Sequence, residues 1–429
     1  MTASAFTPPF PSARATAWAK LRGLAQPEVL ILGGGVNGIG LLRDLALNGV
    51  SAVLIDEGDF CTGASSASSR MAHGGLRYLE GREFRLVAEA ARERNMLLHD
   101  AGHLVKPLEI VVPLRSWFQG LPQTALRFCG LSRRAGPLSL AALQGALMIY
   151  ERFGAVRRAL PRHGVRLARA GFPAGTPAAV RAVVSYYDGQ ITGPEALALE
   201  MLGAATEADN VTALNHVRWA VEGRAITVTD PETGSQATLA PRVVVNATGA
   251  AIDGVNARLG LRTALVRGVK GAHLVLRHDA LHSRMAGRAF YFDDGSGRMV
   301  ICLPVADIIL LGTTEVETAD PSDHAVAGDE VAYLLGAINR LFEDIAVGPE
   351  HIAAVTSGIR PLQASGGNAT QAARDHALLR HDWGPVPVLS LVGGKWTTFR
   401  SFAEQAGDAV LGLLGRPRAA TTAGRPYPG

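Results

Sequence analysis

Apolar positions along this chain fall into short continuous runs and helical stripes, and the two kinds alternate. Val29-Leu-Ile-Leu32 is a continuous apolar run that predicts a strand buried on both faces. An apolar helical pattern opens a few residues later, and Ala52-Val-Leu-Ile55 repeats the strand pattern. Residues 57–79 are rich in Gly and Ser and predict no ordinary helix. Helical spacing returns over 83–99, with Phe84, Val87, Ala91 and Leu98 on one side. Ile110-Val-Val-Pro-Leu114 predicts a short strand ended by proline, and 180–187 another strand. Residues 194–207 predict a helix with proline in its first turn. Residues 211–239 predict two or three strands around the turn Asp230-Pro-Glu-Thr-Gly234.

The run Arg242-Val-Val-Val-Asn-Ala-Thr-Gly249 is a buried strand leading into small residues, and 264–314 is again strand-rich. Residues 330–345 predict an amphipathic core helix, with Val331, Leu334, Leu335, Ile338, Leu341, Phe342 and Ile345 on one face. A last strand at 386–392 runs into Gly393-Gly394-Lys395 and a final helix over 398–414.

Between the first strand and the first helix stands Gly33-x-Gly35-x-x-Gly38. Gly33 allows the tight turn, Gly35 lets backbone approach a pyrophosphate, and Gly38 lets helix pack close to strand. The helix N-terminus then faces phosphate with its partial positive charge. Asp56 ends the second strand, about twenty residues beyond Gly38, where an acid binds ribose hydroxyls. Together these features predict a dinucleotide site. The fold expected is α/β, with a Rossmann-like dinucleotide-binding domain assembled from separated segments and an inserted mixed-sheet substrate domain. The expected division is 28–110, 180–260 and 350–415 for the nucleotide-binding domain, and 111–179 and 261–349 for the substrate or cap domain. Residues 1–27 are expected to be a disordered leader and 416–429 a disordered tail.

Composition narrows the classes of function. With 48% hydrophobic and 19% charged residues, the 429-residue chain is globular. No uncharged apolar run is long enough for a membrane-spanning helix. The net charge of +4 sits at the ends: Arg14, Lys20, Arg22, Arg416, Arg418 and Arg425 lie in terminal segments that hold no acid. The body between them is slightly acidic, which argues against nucleic-acid binding. Cys61, Cys129 and Cys302 are widely spaced and the histidines show no metal-ligand spacing, so neither a disulfide framework nor a metal is expected. A reducing, cytoplasmic setting follows from the cysteine usage.

Ser65-Ser-Ala-Ser-Ser-Arg-Met-Ala-His73-Gly-Gly-Leu-Arg77-Tyr78-Leu-Glu80, continued by Glu83-Phe-Arg-Leu-Val, closely resembles the FAD-dependent glycerol-3-phosphate dehydrogenases, within the D-amino-acid-oxidase-like flavoproteins. Asn246-Ala-Thr-Gly249, Lys270-Gly-Ala-His273, Gly312-Thr-Thr-Glu315, Ser357-Gly-Ile-Arg360-Pro-Leu362 and Gly393-Gly-Lys395-Trp-Thr-Thr398-Phe-Arg400 follow in family order. The resemblance covers roughly 28–412. It departs at Asp56, where glutamate is usual, at Trp396 in place of leucine, and at Val305, often tryptophan. It also implies a C-terminal helical domain, for which only 416–429 remain, so dimerisation is left open.

The resemblance implies oxidation of sn-glycerol 3-phosphate to dihydroxyacetone phosphate, with hydride transfer to FAD and electrons passed to a quinone-type acceptor. Cofactor contacts are expected at Gly33, Gly35, Asn37, Gly38, Asp56, Ser65, Ser66, Ser69, His73, Gly74, Gly75, Ala247, Thr248, Gly249, Gly393, Gly394, Lys395, Trp396 and Thr397. A three-carbon phosphate ester is a dianion, so its pocket collects fixed cations. Arg77, Tyr78, His273, Arg360, Lys395 and Thr398 are the expected substrate contacts. His73 is the first candidate base, His273 its rival, and Arg360 would polarise the substrate hydroxyl.

Two alternatives stay open: an oxidase or dehydrogenase of another anionic alcohol or amino acid, and a flavin-binding module without turnover. Residues 115–134 carry Trp117, Phe118, Leu121, Leu126, Phe128 and Leu131 with four arginines and no acid. That composition suits either a peripheral contact with the inner face of the cytoplasmic membrane or a cap over the substrate domain.

Overall fold

The first apolar run is central in a parallel sheet, as its continuous pattern requires. In the computed structural model, which describes residues 10–24, 26–76, 79, 83–119, 139–153, 160–295, 298–364 and 376–428, Val29–Leu32 lies between Val243–Asn246 and Ala52–Ile55. Val211–Leu214 extends the sheet on one side and Val386–Val392 on the other, all parallel. Ala377–Trp383 closes the second edge as the antiparallel sixth strand.

Alternation along the central strand explains the layers. Val29 and Ile31 point into a core built with the helices Val36–Leu47, Pro194–Thr206 and Phe399–Leu414. Leu30 and Leu32 point the other way, toward Trp18, Leu21, Trp219, Ile226 and Val228. Those residues belong to the helix Phe10–Gly23 and to a small antiparallel sheet of Arg218–Glu222, Ala225–Thr229 and Gln236–Leu239. The nucleotide-binding sheet is thus covered on both faces.

A second, mixed sheet carries the rest. Its path runs Val316–Thr318, Val266–Leu276, Ile308–Gly312, Met299–Val305, Ala289–Asp293, Val105–Leu114, Ala182–Ile191 and Met71–Ala72. Ile352–Gln363 pairs antiparallel with Val266–Leu276, and Gly164–Arg166 with Ala182–Ile191. Val111 and Val183 face a core with the helices Gly328–Ile338 and Asp279–Met285. Ile110, Val112 and Val184 face the opposite core, with Phe84–Asp100 and Leu140–Phe153.

Several expectations are corrected. The segment 1–27 is not all leader: Phe10–Gly23 is a helix with Trp18 and Leu21 buried and Arg14 paired with Asp230. Two buried side chains are enough to dock a helix, but too few to show as a stripe. The segment 416–428 is not a loose tail either. Arg418 bonds both oxygens of Asp44, Arg416 bonds Glu28, and Tyr427 is buried under the Arg43 guanidinium. The short strand expected at 110–114 begins at Val105, and its two prolines flank Ile110 and Val111, the only residues paired to Ala289–Asp293. A missing N–H is tolerated where no third strand needs it. The core helix expected over 330–345 is regular only over Gly328–Ile338, although Leu341, Phe342 and Ile345 stay buried beyond it. Strand pairing also redraws the expected division, because Ala182–Ile191 and Ile352–Gln363 join the second sheet and not the first.

Candidate active site

The glycine turn expected to meet a pyrophosphate forms where the Val29–Leu32 strand ends. Gly33 has φ +104°, and a Cβ there would lie 2.8 Å from the Ala247 backbone. The Ala247-Thr248 turn and the Gly33 turn touch only because no side chain intervenes. A Cβ at Gly38 would come within 2.0 Å of Gly33 O, so helix and turn are in backbone contact. Gly35 differs: a Cβ there would meet only Ser65 Oγ, at 3.3 Å. Gly35 is also the N-cap of Val36–Leu47 and supplies no side-chain cap. Ser65 Oγ accepts from Val36 N at 3.1 Å, which brings the Ser-rich loop over the helix N-terminus.

Asp56 is fixed by two backbone donors. Gly34 N donates to Oδ2 at 2.6 Å and Gly58 N to Oδ1 at 2.7 Å. Burial lifts its pKa above the usual carboxylate value, and these two N–H groups oppose the lift. Asn37 Nδ2 donates to Gly393 O at 3.0 Å, while its buried Oδ1 has no partner among the described residues. Gly394, at φ +92°, leaves the room that Asn37 fills: a Cβ there would lie 2.5 Å from Asn37 Nδ2. The open side of Gly35, the fixed Asp56 carboxylate and the orphaned Asn37 acceptor fit an extended dinucleotide with hydroxyls to donate.

Other expected residues join the same ring of contacts. Trp396 Nε1 donates to Ser65 O at 2.8 Å, and His73 N donates to Thr397 Oγ1 at 3.0 Å. Asn246 Oδ1 accepts from Thr248 Oγ1 at 2.6 Å, shaping the turn to Gly249. Ser69 Oγ and His273 Nε2 share a hydrogen bond at 2.9 Å, linking the loop to the second sheet. Ser66 instead bonds Gly63 O within its own turn. Thr398 is the buried N-cap residue of Phe399–Leu414, Lys395 is half-buried beside it, and Gly75 has φ +76°. Arg77 and Tyr78 lie outside the described residues.

On the second sheet, Arg360 Nη2 donates to Thr313 Oγ1 at 2.6 Å and Nη1 to Glu315 at 3.4 Å. Arg298 reaches Thr313 O at 3.3 Å from the other side. Lys270 is buried between Asp323 and Glu330, 3.5 Å from each, so it braces its strand. His273 is almost fully buried. Desolvation, reinforced by the Arg360 and Arg70 guanidiniums, pushes its pKa down to about 3. The ring is therefore neutral, which suits it to hydrogen bonding better than to taking a proton.

Some residues here escape sequence reasoning. Thr313 and Glu315 orient Arg360, and a buried trio of Arg94, Tyr150 and Asp188 sits beneath Gly74. The run Gly312-Thr-Thr-Glu315 flagged Thr313 and Glu315 without giving them a role, and a signal also existed for Arg94. Arg94 falls on the apolar stripe of Phe84, Val87, Ala91 and Leu98, where a charge demands a buried partner.

Among the described residues no helix is long and apolar enough to cross a membrane, and no three His, Cys, Asp or Glu gather as metal ligands. Comparison with known proteins agrees with the dinucleotide geometry. The family model described as DAO, FAD dependent oxidoreductase, matches residues 28–399. A glycerol-3-phosphate dehydrogenase of Synechocystis sp. is 33% identical over 414 residues, covering 91% of this chain and 70% of its own length. A D-erythritol 1-phosphate dehydrogenase of Brucella abortus is 31% identical over 425 residues, covering 95% of this chain and 78% of its own. The crystal structure of glycerol-3-phosphate dehydrogenase from Bacillus halodurans complexed with FAD shares the fold, with a TM-score of 0.67 at 22% identity, over 96% of this chain and 69% of that one. The glycine turn at 33–38, Asp56 and the glycine pair at 393–394 thus stand in a chain that belongs to the DAO family of FAD-dependent oxidoreductases and takes FAD as its cofactor.

Proposed function

We propose that this enzyme oxidises the secondary hydroxyl of sn-glycerol 3-phosphate, giving dihydroxyacetone phosphate. The observation that carries this reading is Arg360, fixed by Thr313 and Glu315 beside the buried neutral His273. A guanidinium held by two side chains at a dinucleotide site is a ready partner for an anionic substrate. The curated relatives support a phosphate-bearing alcohol as that substrate.

Bound FAD supplies the two-electron acceptor for alcohol oxidation. The chain's own residues do the rest. Arg77, Lys395 and Arg360 gather the phosphate and hydroxyl oxygens, with Tyr78 and Thr398 as further hydrogen-bonding groups. His73, half-buried and anchored through its backbone to Thr397, takes the hydroxyl proton. Arg360 stabilises negative charge that develops on that oxygen. His273 donates or accepts a hydrogen bond without changing charge.

The final electron acceptor in this scheme is a quinone, which places the protein at a membrane surface. Trp117, Phe118, Met148 and Ile149 support this, being large apolar side chains left exposed. Residues 120–134 of the basic aromatic segment lie outside the described residues. A second substrate is a longer alcohol phosphate, favoured by the similarity to D-erythritol 1-phosphate dehydrogenase.

Anaerobic bleaching of the bound flavin tests the proposal. Glycerol 3-phosphate should bleach it within turnover time, and glycerol, hydroxy acids and amino acids should not. Faster bleaching by erythritol 1-phosphate would move the assignment to the longer ester. Bleaching by an amino acid alone would overturn it.

A further inference from the structure

Three charged or hydroxyl-bearing side chains meet in the core beneath the His73-Gly74 peptide. Arg94 comes from Phe84–Asp100, Tyr150 from Leu140–Phe153 and Asp188 from Ala182–Ile191. All three are buried. Arg94 Nη1 donates to Asp188 Oδ1 and to Tyr150 Oη, each at 2.6 Å. Tyr150 Oη donates to Asp188 Oδ1 at 2.5 Å. The remaining donor in this cluster is backbone: Gly74 N, 2.9 Å from Tyr150 Oη and 3.1 Å from Asp188 Oδ1.

Burying an ion pair is costly, and apolar residues of the same size often stabilise a core as well or better. A network of this kind is therefore weak evidence for stability and better evidence for holding one geometry. What it holds is specific. Ala72 pairs with Gly189, next to Asp188, so the strand pairing fixes where residue 73 leaves the second sheet. His73 N is bound by Thr397 on the cofactor side, and Gly74 N by Tyr150 and Asp188 on the core side. The two consecutive N–H groups are thus anchored in different domains. Gly74 has no freedom to shift toward the core, since even a Cβ would fall 2.4 Å from Tyr150 Oη. Tyr150 cannot serve as an acid or base here: burial and the Asp188 charge raise its pKa well above the ordinary phenol value.

We propose that Arg94, Asp188 and Tyr150 are positioning residues that set the height of the His73 imidazole over the cofactor through the Gly74 N–H. The proposal rests on His73 facing the reaction. Sequence spacing conceals it, because the trio is drawn from three elements 38 to 94 residues apart.

Tyr150→Phe is the discriminating variant, because it keeps the Arg94–Asp188 pair and removes one hydroxyl. Holoenzyme carrying it should retain stoichiometric FAD, with an altered visible circular-dichroism band of the oxidised flavin. Its limiting rate of anaerobic flavin reduction by glycerol 3-phosphate should fall about ten-fold or more, with substrate Kd within about two-fold of wild type. The effect should vanish in a His73→Asn background, so that the double variant is no slower than His73→Asn alone. Tyr150→Phe reducing its flavin at the wild-type rate would overturn the positioning role and leave the site assignment intact. Additive losses, or a rise in Kd alone, would overturn it too. A His73→Asn enzyme that reduces flavin at the wild-type rate would overturn both. Should Tyr150→Phe fail to fold, Arg94→Lys, which keeps the charge but loses the fork, carries the same three readouts.

Discussion

His73 N donates to Thr397 Oγ1 at 3.0 Å, across 324 residues of sequence. This bond joins the Ser-Gly loop, the segment nearest the expected chemistry, to the turn that opens the last helix. Thr397→Val keeps the shape and takes this acceptor from the half-buried His73 N–H, a loss of about 1 kcal/mol in holoenzyme stability. Thr397→Ser restores the acceptor and should stay near wild type. Urea unfolding of the three proteins decides it, and equal stability of the valine and wild-type proteins would remove the bond's importance.

FAD binding is expected to depend on two glycines for different reasons. Gly35→Val should block the open side of the pyrophosphate turn. Gly394→Ala must push Asn37 away and adopt φ +92° with a side chain. Both proteins should purify with little FAD, read from the ratio of visible to ultraviolet absorbance. Stoichiometric FAD in purified Gly35→Val would show that this loop does not hold the phosphates.

Arg360→Lys keeps the charge but cannot span Thr313 and Glu315 as the guanidinium does. Loss of one charge-assisted contact costs about 1.5–3 kcal/mol, so kcat/KM for glycerol 3-phosphate should fall roughly ten- to a hundred-fold. Whatever part of the loss belongs to the phosphate should be absent with neutral glycerol. A uniform fall for both substrates would mean that Arg360 acts at the hydroxyl oxygen they share and not on the phosphate.

Burial of His273 makes stability depend on pH in a defined direction. Its folded pKa is about 3, below the value near 6.5 of an exposed imidazole. Between these values the unfolded chain binds a proton that the folded chain refuses, so this group destabilises the protein as pH falls from about 6.5 toward 3. The slope is at most about 1.4 kcal/mol per pH unit. Thermal melts of His273→Gln should show a shallower acid decline than wild type. Parallel declines would place the proton uptake elsewhere.

The membrane reading is tested at the exposed end of Val105–Leu114. Trp117→Ser with Phe118→Ser should reduce sedimentation with anionic vesicles at low salt, and high salt should reduce it further in wild type. If wild-type protein stays in the supernatant at low salt, attachment through this surface falls, and a soluble acceptor replaces the quinone.

Local spacing was enough to raise the expectation of a cofactor turn. Gly33, Gly35, Gly38 and Asp56 lie within one strand-helix-strand unit, so that expectation rests on positions close in the chain. The central strand was equally legible, because a run buried on both faces has no polar position to misplace. Family motifs extended this to His273, Arg360 and Thr397, but as isolated points. Only the tertiary structure showed that Trp396 reaches Ser65, that Asn37 meets Gly393, and that burial keeps His273 neutral. Those facts depend on which strands become neighbours, and hydrogen-bond pairing between distant segments leaves no local period. The same reason hid the docked termini and the Arg94, Tyr150 and Asp188 cluster. Tyr150 and Asp188 were unremarkable in their own elements, and even Arg94, a charge on an apolar stripe, took its meaning from desolvation beside partners from other elements.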